Sequence, residues 1–229
     1  MKNKARPYII CHMIPSVDGK IVMDDWILPR AADNQYDMTA AVFGADAWLV
    51  GRVSMAAYAG GKRPAVPARV PGGDFIAPHK AKTFAIALDP SGKLAFKTGD
   101  IDGEHVIAVL TGKAPRAHLA YLREKGVSYI IGGRAEIDLP EVMRKLRSQF
   151  GIRKILLEGG GKINGSLLKA GLIDELSVLV APVADGRVGV PTMFDAGTVK
   201  GSVSSLKLLS HQSRPGGIVW LRYKVVCKK

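Results

Sequence analysis

A single acid followed by three glycines, Glu158-Gly159-Gly160-Gly161, is the stretch of this 229-residue chain best suited to chemistry. The apolar run Ile155-Leu156-Leu157 before it has the length of a buried strand. After it, Ile163, Leu167 and Ala170 recur at helical spacing, and Gly171 closes the segment. A glycine turn between strand and helix lets backbone N–H groups approach a ligand, and the helix start behind them favours an anion. A phosphate or pyrophosphate is the expected guest. Glu158 falls at the carboxyl end of its strand, where open α/β sheets place their ligands. The three glycines are neither the spaced dinucleotide fingerprint nor the P-loop pattern, so taken alone they also fit a tight turn that binds nothing.

Two further strand ends repeat the theme. Residues 47–50 form a short apolar strand that empties into Gly51-Arg52-Val53-Ser54, adding a guanidinium and a hydroxyl to the backbone donors of a helix start. Residues 128–131 end in Gly132-Gly133-Arg134. Several such turns in one sheet suit a ligand with two phosphates. The first strand, residues 8–13, runs into Ser16, Asp18 and Lys20 around an Asp-Gly pair. That spacing favours a hairpin turn, with three polar groups set over a ligand as the alternative. No cluster has zinc spacing, no GxSxG elbow is present, and the five histidines sit apart. Phosphate-suited turns with so few acid–base side chains point to a cofactor that carries the hard step, with hydride transfer as the leading case.

The elements that position these turns follow from patterning. A helix is expected over residues 31–43, starting at Asp33 or Asn34 and stopped by Gly44, and a short one over 54–58. Residues 59–78, rich in proline and glycine, read as an exposed, mobile loop and a candidate lid. Strands are expected at 83–88 and 106–110, then a helix with Pro115 at its first position and Gly126 at its end. Leu139, Val142, Met143, Leu146 and Phe150 make the clearest amphipathic helix, with Asp138 as its start signal. A strand at 176–180 is followed by β segments at 206–211 and 218–226, separated by a hairpin signal at 213–217. The alternation implies an α/β fold with a mostly parallel mixed sheet, flanked by helices and closed by an antiparallel hairpin, in one domain over 1–229.

Composition narrows the function. Hydrophobic residues at 47% and charged residues at 23% are ordinary for a globular protein, and no apolar run reaches membrane-span length. The net charge of +13 invites a nucleic-acid reading. The basic residues are scattered, however, without a like-charge block or interleaved aromatics, so neither nucleic acid nor membrane is an expected partner. Cys11 and Cys227 lack metal-ligand neighbours and read as small hydrophobes in a reducing, cytoplasmic compartment.

Residues 156–186, LLEGGGKINGSLLKAGLIDELSVLVAPVADG, resemble the signature of the reductase domain of riboflavin biosynthesis, part of the dihydrofolate-reductase-like superfamily. SVDGKI at 16–21, ADAWLVGR at 45–52 and the pattern over 119–131 carry the resemblance across nearly the whole chain. The resemblance implies NADPH lying across the carboxyl ends of the strands. Its pyrophosphate would be held by Gly159, Gly160, Gly161 and Ile163 and by Gly51, Arg52 and Ser54. The turn at 89–92 and Gly132-Gly133 would border the adenosine and its 2′-phosphate, with Ser91 and Lys93 as contacts. Glu158 would touch the substrate as the catalytic candidate, with Ser16, Asp18 and Lys20 opposite, Arg30 or Arg69 near a sugar phosphate, and Tyr58 reshaping the pocket.

The implied reaction passes hydride to the sugar C1′ of a ribosylamino-pyrimidine phosphate such as 5-amino-6-(5-phosphoribosylamino)uracil. A homodimer and a small anionic substrate are implied with it. One departure stands out: residues 55–61, MAAYAGG, lack the Asp-Asn-Pro triplet of the biosynthetic reductases. Another small C=N, C=O or C=C substrate therefore stays open. A nucleotide- or nucleic-acid-binding protein without turnover is the reading from a different class.

Overall fold

The computed structural model describes residues 5–62, 70–195, 197 and 203–226. Cys227 and Arg69 lie outside the described residues. In chain order the elements are β1 (Tyr8–Met13), α1 (Gln35–Ala41), β2 (Ala47–Gly51), α2 (Arg52–Ala59), β3 (Phe84–Leu88), β4 (Asp100–Ile101), β5 (Glu104–Leu110) and α3 (Arg116–Glu124). They continue with β6 (Ser128–Ile131), α4 (Leu139–Phe150), β7 (Lys154–Leu157), α5 (Gly161–Lys169), β8 (Glu175–Val180), β9 (Ser205–Arg214) and β10 (Ile218–Val226). Two compact units divide them, one built on residues 46–153 and the other on residues 8–45 and those from 154 onward.

In the first unit the strand order is β4-β5-β3-β2, with β6 also on β5, and every pairing except β4–β5 is parallel. β3 is buried at every position and β5 at nearly every one, as expected for parallel strands covered on both faces. α4 begins where the sequence indicates: the Asp138 carboxylate accepts the Glu141 N–H at 3.0 Å, and Val142, Met143 and Leu146 turn inward. Such a cap contributes about 1 kcal/mol.

Residues 70–78 depart from expectation. Asp74 accepts the Ile131 N–H (2.8 Å), the Gln149 amide (2.8 Å) and the Lys145 ammonium (2.9 Å). Phe75 exchanges two backbone hydrogen bonds with Tyr129, each 2.9 Å, and carries the Arg123 guanidinium 4.3 Å above its ring. This described part of the proline-rich loop is pinned to β6 and α4, not loose. The remainder of that loop, 63–69, lies outside the described residues.

In the second unit the order is β7-β1-β8-β10-β9, parallel through β8 and antiparallel beyond it. The expected helix over 31–43 is divided into a 3₁₀ turn, Arg30–Ala32, and α1. Asn34 sits at the break with φ +62°, a conformation asparagine tolerates. The cause is tertiary: the β9–β10 tip presses on the 3₁₀ turn so closely that a Cβ on Gly216 would lie 2.5 Å from the Ala32 nitrogen. β9 is longer than its sequence pattern indicated and leaves Leu206, Leu208 and Leu209 44–49% exposed. Among the described residues no helix is long and apolar enough to cross a membrane.

Candidate active site

In the second unit β7 ends at Leu157, and residues 158–160 carry the chain into α5. The three glycines do different things. Gly159 has φ +110°, a region in which side chains are strained. A Cβ on Gly160 would meet nothing within 4 Å, so this position faces open space. Gly161 is crowded: its Cβ would lie 2.2 Å from the Thr192 carbonyl oxygen, and its own carbonyl accepts the Asp195 N–H at 2.9 Å. The first turn of α5 has N–H groups with no acceptor inside the helix. The Asp195 carboxylate, held by the Thr192 hydroxyl at 2.7 Å, stands beside that turn. Ile163 is partly buried on it.

Residues 191–193 join this turn to the loop after β1. Lys20 and Thr192 form an antiparallel bridge, Ile21 N–H bonds to the Pro191 carbonyl (3.1 Å) and Met193 N–H to that of Gly19 (3.0 Å). The fold thus brings Lys20 alongside the glycine turn. Ser16 and Asp18 behave differently. Ser16, 2% exposed, donates to Asp18 at 2.8 Å and accepts the Lys20 N–H at 2.9 Å. Asp18 also receives the N–H groups of Asp185 and Gly186, both at 2.9 Å, and these bonds hold its carboxyl down at about 2. Asp185 in turn takes the Arg187 guanidinium and the Trp26 indole N–H. Both sequence-selected residues therefore clamp the 182–189 loop. Arg30 is exposed on the 3₁₀ turn, apart from this network.

One side chain that the sequence did not single out stands next to Glu158. Tyr36, on α1, donates its hydroxyl to the His12 carbonyl at 3.0 Å and lies close enough to Glu158 to feel its charge. Burial first, then the Glu158 charge, pushes its phenol well above 10.0. The tyrosine carries no motif; only the pairing of β1 with β7 reveals it.

In the first unit the remaining site residues lie at strand ends. Since β2, β3, β5 and β6 run parallel, their carboxyl ends share one edge. Gly51 closes β2, with Arg52 and Ser54 exposed on the first turn of α2. After β3 the fully buried Asp89 accepts the N–H groups of Lys93 (2.6 Å) and Leu94 (2.7 Å), presenting Ser91 and Lys93 at the surface. Its other carboxylate oxygen has no partner among the described residues. Gly133 accepts the Gly112 N–H at 2.9 Å, and a Cβ on Gly132 would lie 2.5 Å from a Val142 methyl, so close strand–helix packing already explains one of these two glycines.

Tyr58 is not at this edge. α2 runs back along β2, which carries residue 58 about 9 Å from the helix start. Its ring packs 5.4 Å from that of Trp48, whose indole N–H bonds to Glu104. A cavity of about 530 Å³ lies at the amino edge of the same sheet, lined by His79, Lys80, Asp100, His105 and Lys125. It contains none of the residues selected from the sequence. Among the described residues no group of three or more potential ligands could hold a metal.

The RibD C-terminal domain family matches residues 7–220. The chain belongs to that family. It is an oxidoreductase of the pyrimidine-reductase type found in riboflavin biosynthesis, and the resemblance drawn from the glycine string and its neighbours holds. Over 211 residues it is 25% identical to the 2,5-diamino-6-ribosylamino-4(3H)-pyrimidinone 5′-phosphate reductase of Methanothermobacter thermautotrophicus, covering 89% of this chain and 90% of that one. The fold matches a pyrimidine reductase-like protein from Corynebacterium diphtheriae with a TM-score of 0.72 at 20% identity, covering 97% and 93% of the two chains. Acinetobacter baumannii RibD matches with a TM-score of 0.66 at 20% identity; 97% of this chain aligns with 59% of that one. The α/β fold, with its mixed, mostly parallel sheet and closing hairpin, is as expected.

The open approach at Gly160 leaves room for a phosphate against the start of α5, so the residues at this turn fit that part of a dinucleotide.

Proposed function

We propose that this RibD-family reductase uses NADPH to reduce a ribosylamino-pyrimidine phosphate such as 5-amino-6-(5-phosphoribosylamino)uracil. The observation that carries the reading is Glu158 at the end of β7, directly before a glycine turn whose middle residue is open to a ligand. The name of the Methanothermobacter relative supports the substrate class. NADPH, when bound, supplies the hydride.

The chain's own share is alignment and proton management. Gly159, Gly160, Gly161 and Ile163 hold phosphate at the start of α5, and Gly51, Arg52 and Ser54 do so at the start of α2. Ser91, Lys93, Gly132 and Gly133 receive the adenosine end. Glu158 orients the substrate and moves a proton. Lys20, presented by the Ser16–Asp18 clamp, neutralises an anionic group. The family match spans both units, which supports reading 1–229 as one working domain. The exposed leucines of β9 support a homodimer, and a cytoplasmic location accompanies the reading. The missing Asp-Asn-Pro triplet favours a second reading, the same cofactor chemistry on another small C=N, C=O or C=C substrate.

Calorimetric titration with NADPH and, separately, NADH tests the proposal. Binding of NADPH at least tenfold tighter than NADH is expected. Binding of neither overturns it, and a salt-dependent shift of nucleic acid in a gel would then replace it.

A further inference from the structure

We propose that the cavity of about 530 Å³ at the amino edge of the first unit's strands is a second ligand site, which takes a small tetrahedral oxyanion with a proton on His79. Its volume falls in the range of small-molecule sites, and it lies at the opposite edge from the strand ends that carry Arg52, Lys93 and Gly132.

Two imidazoles line it. The ring of His79 stacks on that of His105, with centroids 4.2 Å and planes 12° apart, and Phe84 packs edge-on against both. Their hydrogen bonds fix the protons. Ser128 Oγ accepts the Ala77 N–H at 2.9 Å, leaving its own proton for His105 Nε2 at 2.7 Å. The Ala81 carbonyl, 3.2 Å from His79 Nδ1, can only accept, so Nδ1 carries the proton and Nε2 keeps a bare lone pair. No described residue bonds to that second nitrogen.

The charges around the pair decide the guest. Two ammoniums, Lys80 and Lys125, line the cavity against one carboxylate, Asp100. Asp100 is already engaged, since its Oδ1 accepts the Gly103 N–H at 3.1 Å. Lys125 pairs at 2.9 Å with Glu124, an exposed neighbour outside the lining, and such a surface pair is weak. Lys80 has no hydrogen-bond or ion-pair partner among the described residues. The stack holds one added proton, because two charged rings 4.2 Å apart repel each other. That proton belongs to exposed His79, as burial disfavours a charge on His105. The lining then presents three positive groups to one negative. A tetrahedral oxyanion is its complement, accepting charge-assisted bonds from His79 Nε2–H and the ammoniums. A metal ion is the wrong guest, since parallel stacked rings do not converge on one point and no set of three ligands does so among the described residues.

The test is a titration of the ¹⁵N-labelled protein with sulfate, whose charge is constant over the range in which histidine titrates, at fixed ionic strength. NMR follows the imidazole nitrogens of His79 and His105, the amides of Gly99, Gly103 and Gly126, and separately the amide of Gly160. Saturable shifts at the cavity positions are expected, with tighter binding at about pH 6 than at about pH 8, because the bound anion holds the proton on His79. Lys80→Ala should weaken this binding about tenfold, the worth of a charge-assisted hydrogen bond, and His79→Gln should remove its pH dependence. Both side chains are exposed, so neither change threatens the fold. Shifts confined to Gly160, shifts that do not saturate, or cavity shifts that are the same in both variants overturn the proposal.

Discussion

The backbone of Gly161 and the Thr192 carbonyl oxygen are so close that a methyl group on the glycine would lie 2.2 Å from that oxygen. One residue before this crowding, Gly160 faces open space. Gly161→Ala is therefore expected to displace the 192–195 segment and destabilise the fold by about 1–3 kcal/mol, the range for overpacking. Gly160→Ala should weaken NADPH binding at least tenfold, because its methyl fills the approach. Thermal melts and cofactor titrations on both variants check this; unchanged NADPH affinity in Gly160→Ala would contradict it.

Glu158→Gln keeps the shape of the side chain and removes its proton chemistry. Turnover should fall on the order of 100-fold, the usual contribution of a general acid, with NADPH affinity unchanged. Unaltered turnover would remove Glu158 from the mechanism.

Stability should depend on pH through two buried histidines. Burial lowers His12 from 6.5 to about 4, and burial followed by the neighbouring His79 charge lowers His105 to about 4. The unfolded chain takes up these protons first. The stabilisation is complete above pH 6.5 and lost as pH falls toward 4, by up to about 3 kcal/mol for each site. Urea midpoints between pH 7 and 4 measure it, and His105→Gln should flatten part of the slope.

Asp74 gathers the Ile131 N–H, Lys145 and Gln149. Asp74→Ala leaves that N–H unsatisfied and should destabilise the first unit by about 1–3 kcal/mol, opening residues 70–78 to limited proteolysis. In the unaltered protein, NADPH should not change cleavage in this segment. A cofactor-dependent change would restore the lid that the sequence suggested.

What could be read from the sequence was local. The side-chain period and Asp138 cap of α4, and the glycines after β7, are signals contained within a dozen residues. What escaped depended on distant partners. The turn favoured at Ser16 to Gly19 forms, but the N–H of Asp185 that Asp18 holds, 167 residues on, was not in view. Tyr58, expected to reshape the substrate pocket, packs on Trp48, a contact that only the direction of α2 reveals. Tyr36 became visible only through β1, which places the His12 carbonyl within its reach. β4, two residues long, is too short to show a pattern.

Cys11 sits in the middle of β1, 1% exposed, hydrogen-bonded through its strand to β7 on one side and β8 on the other. Burial pushes its thiol far up, so in the closed protein it is an inert sulfur. Reagent can reach it only when that strand lets go, and β1 cannot leave without exposing the carbonyl that anchors Tyr36. The alkylation rate of Cys11 is thus a clock for the opening of the region around Glu158, read on a cysteine the sequence already carries.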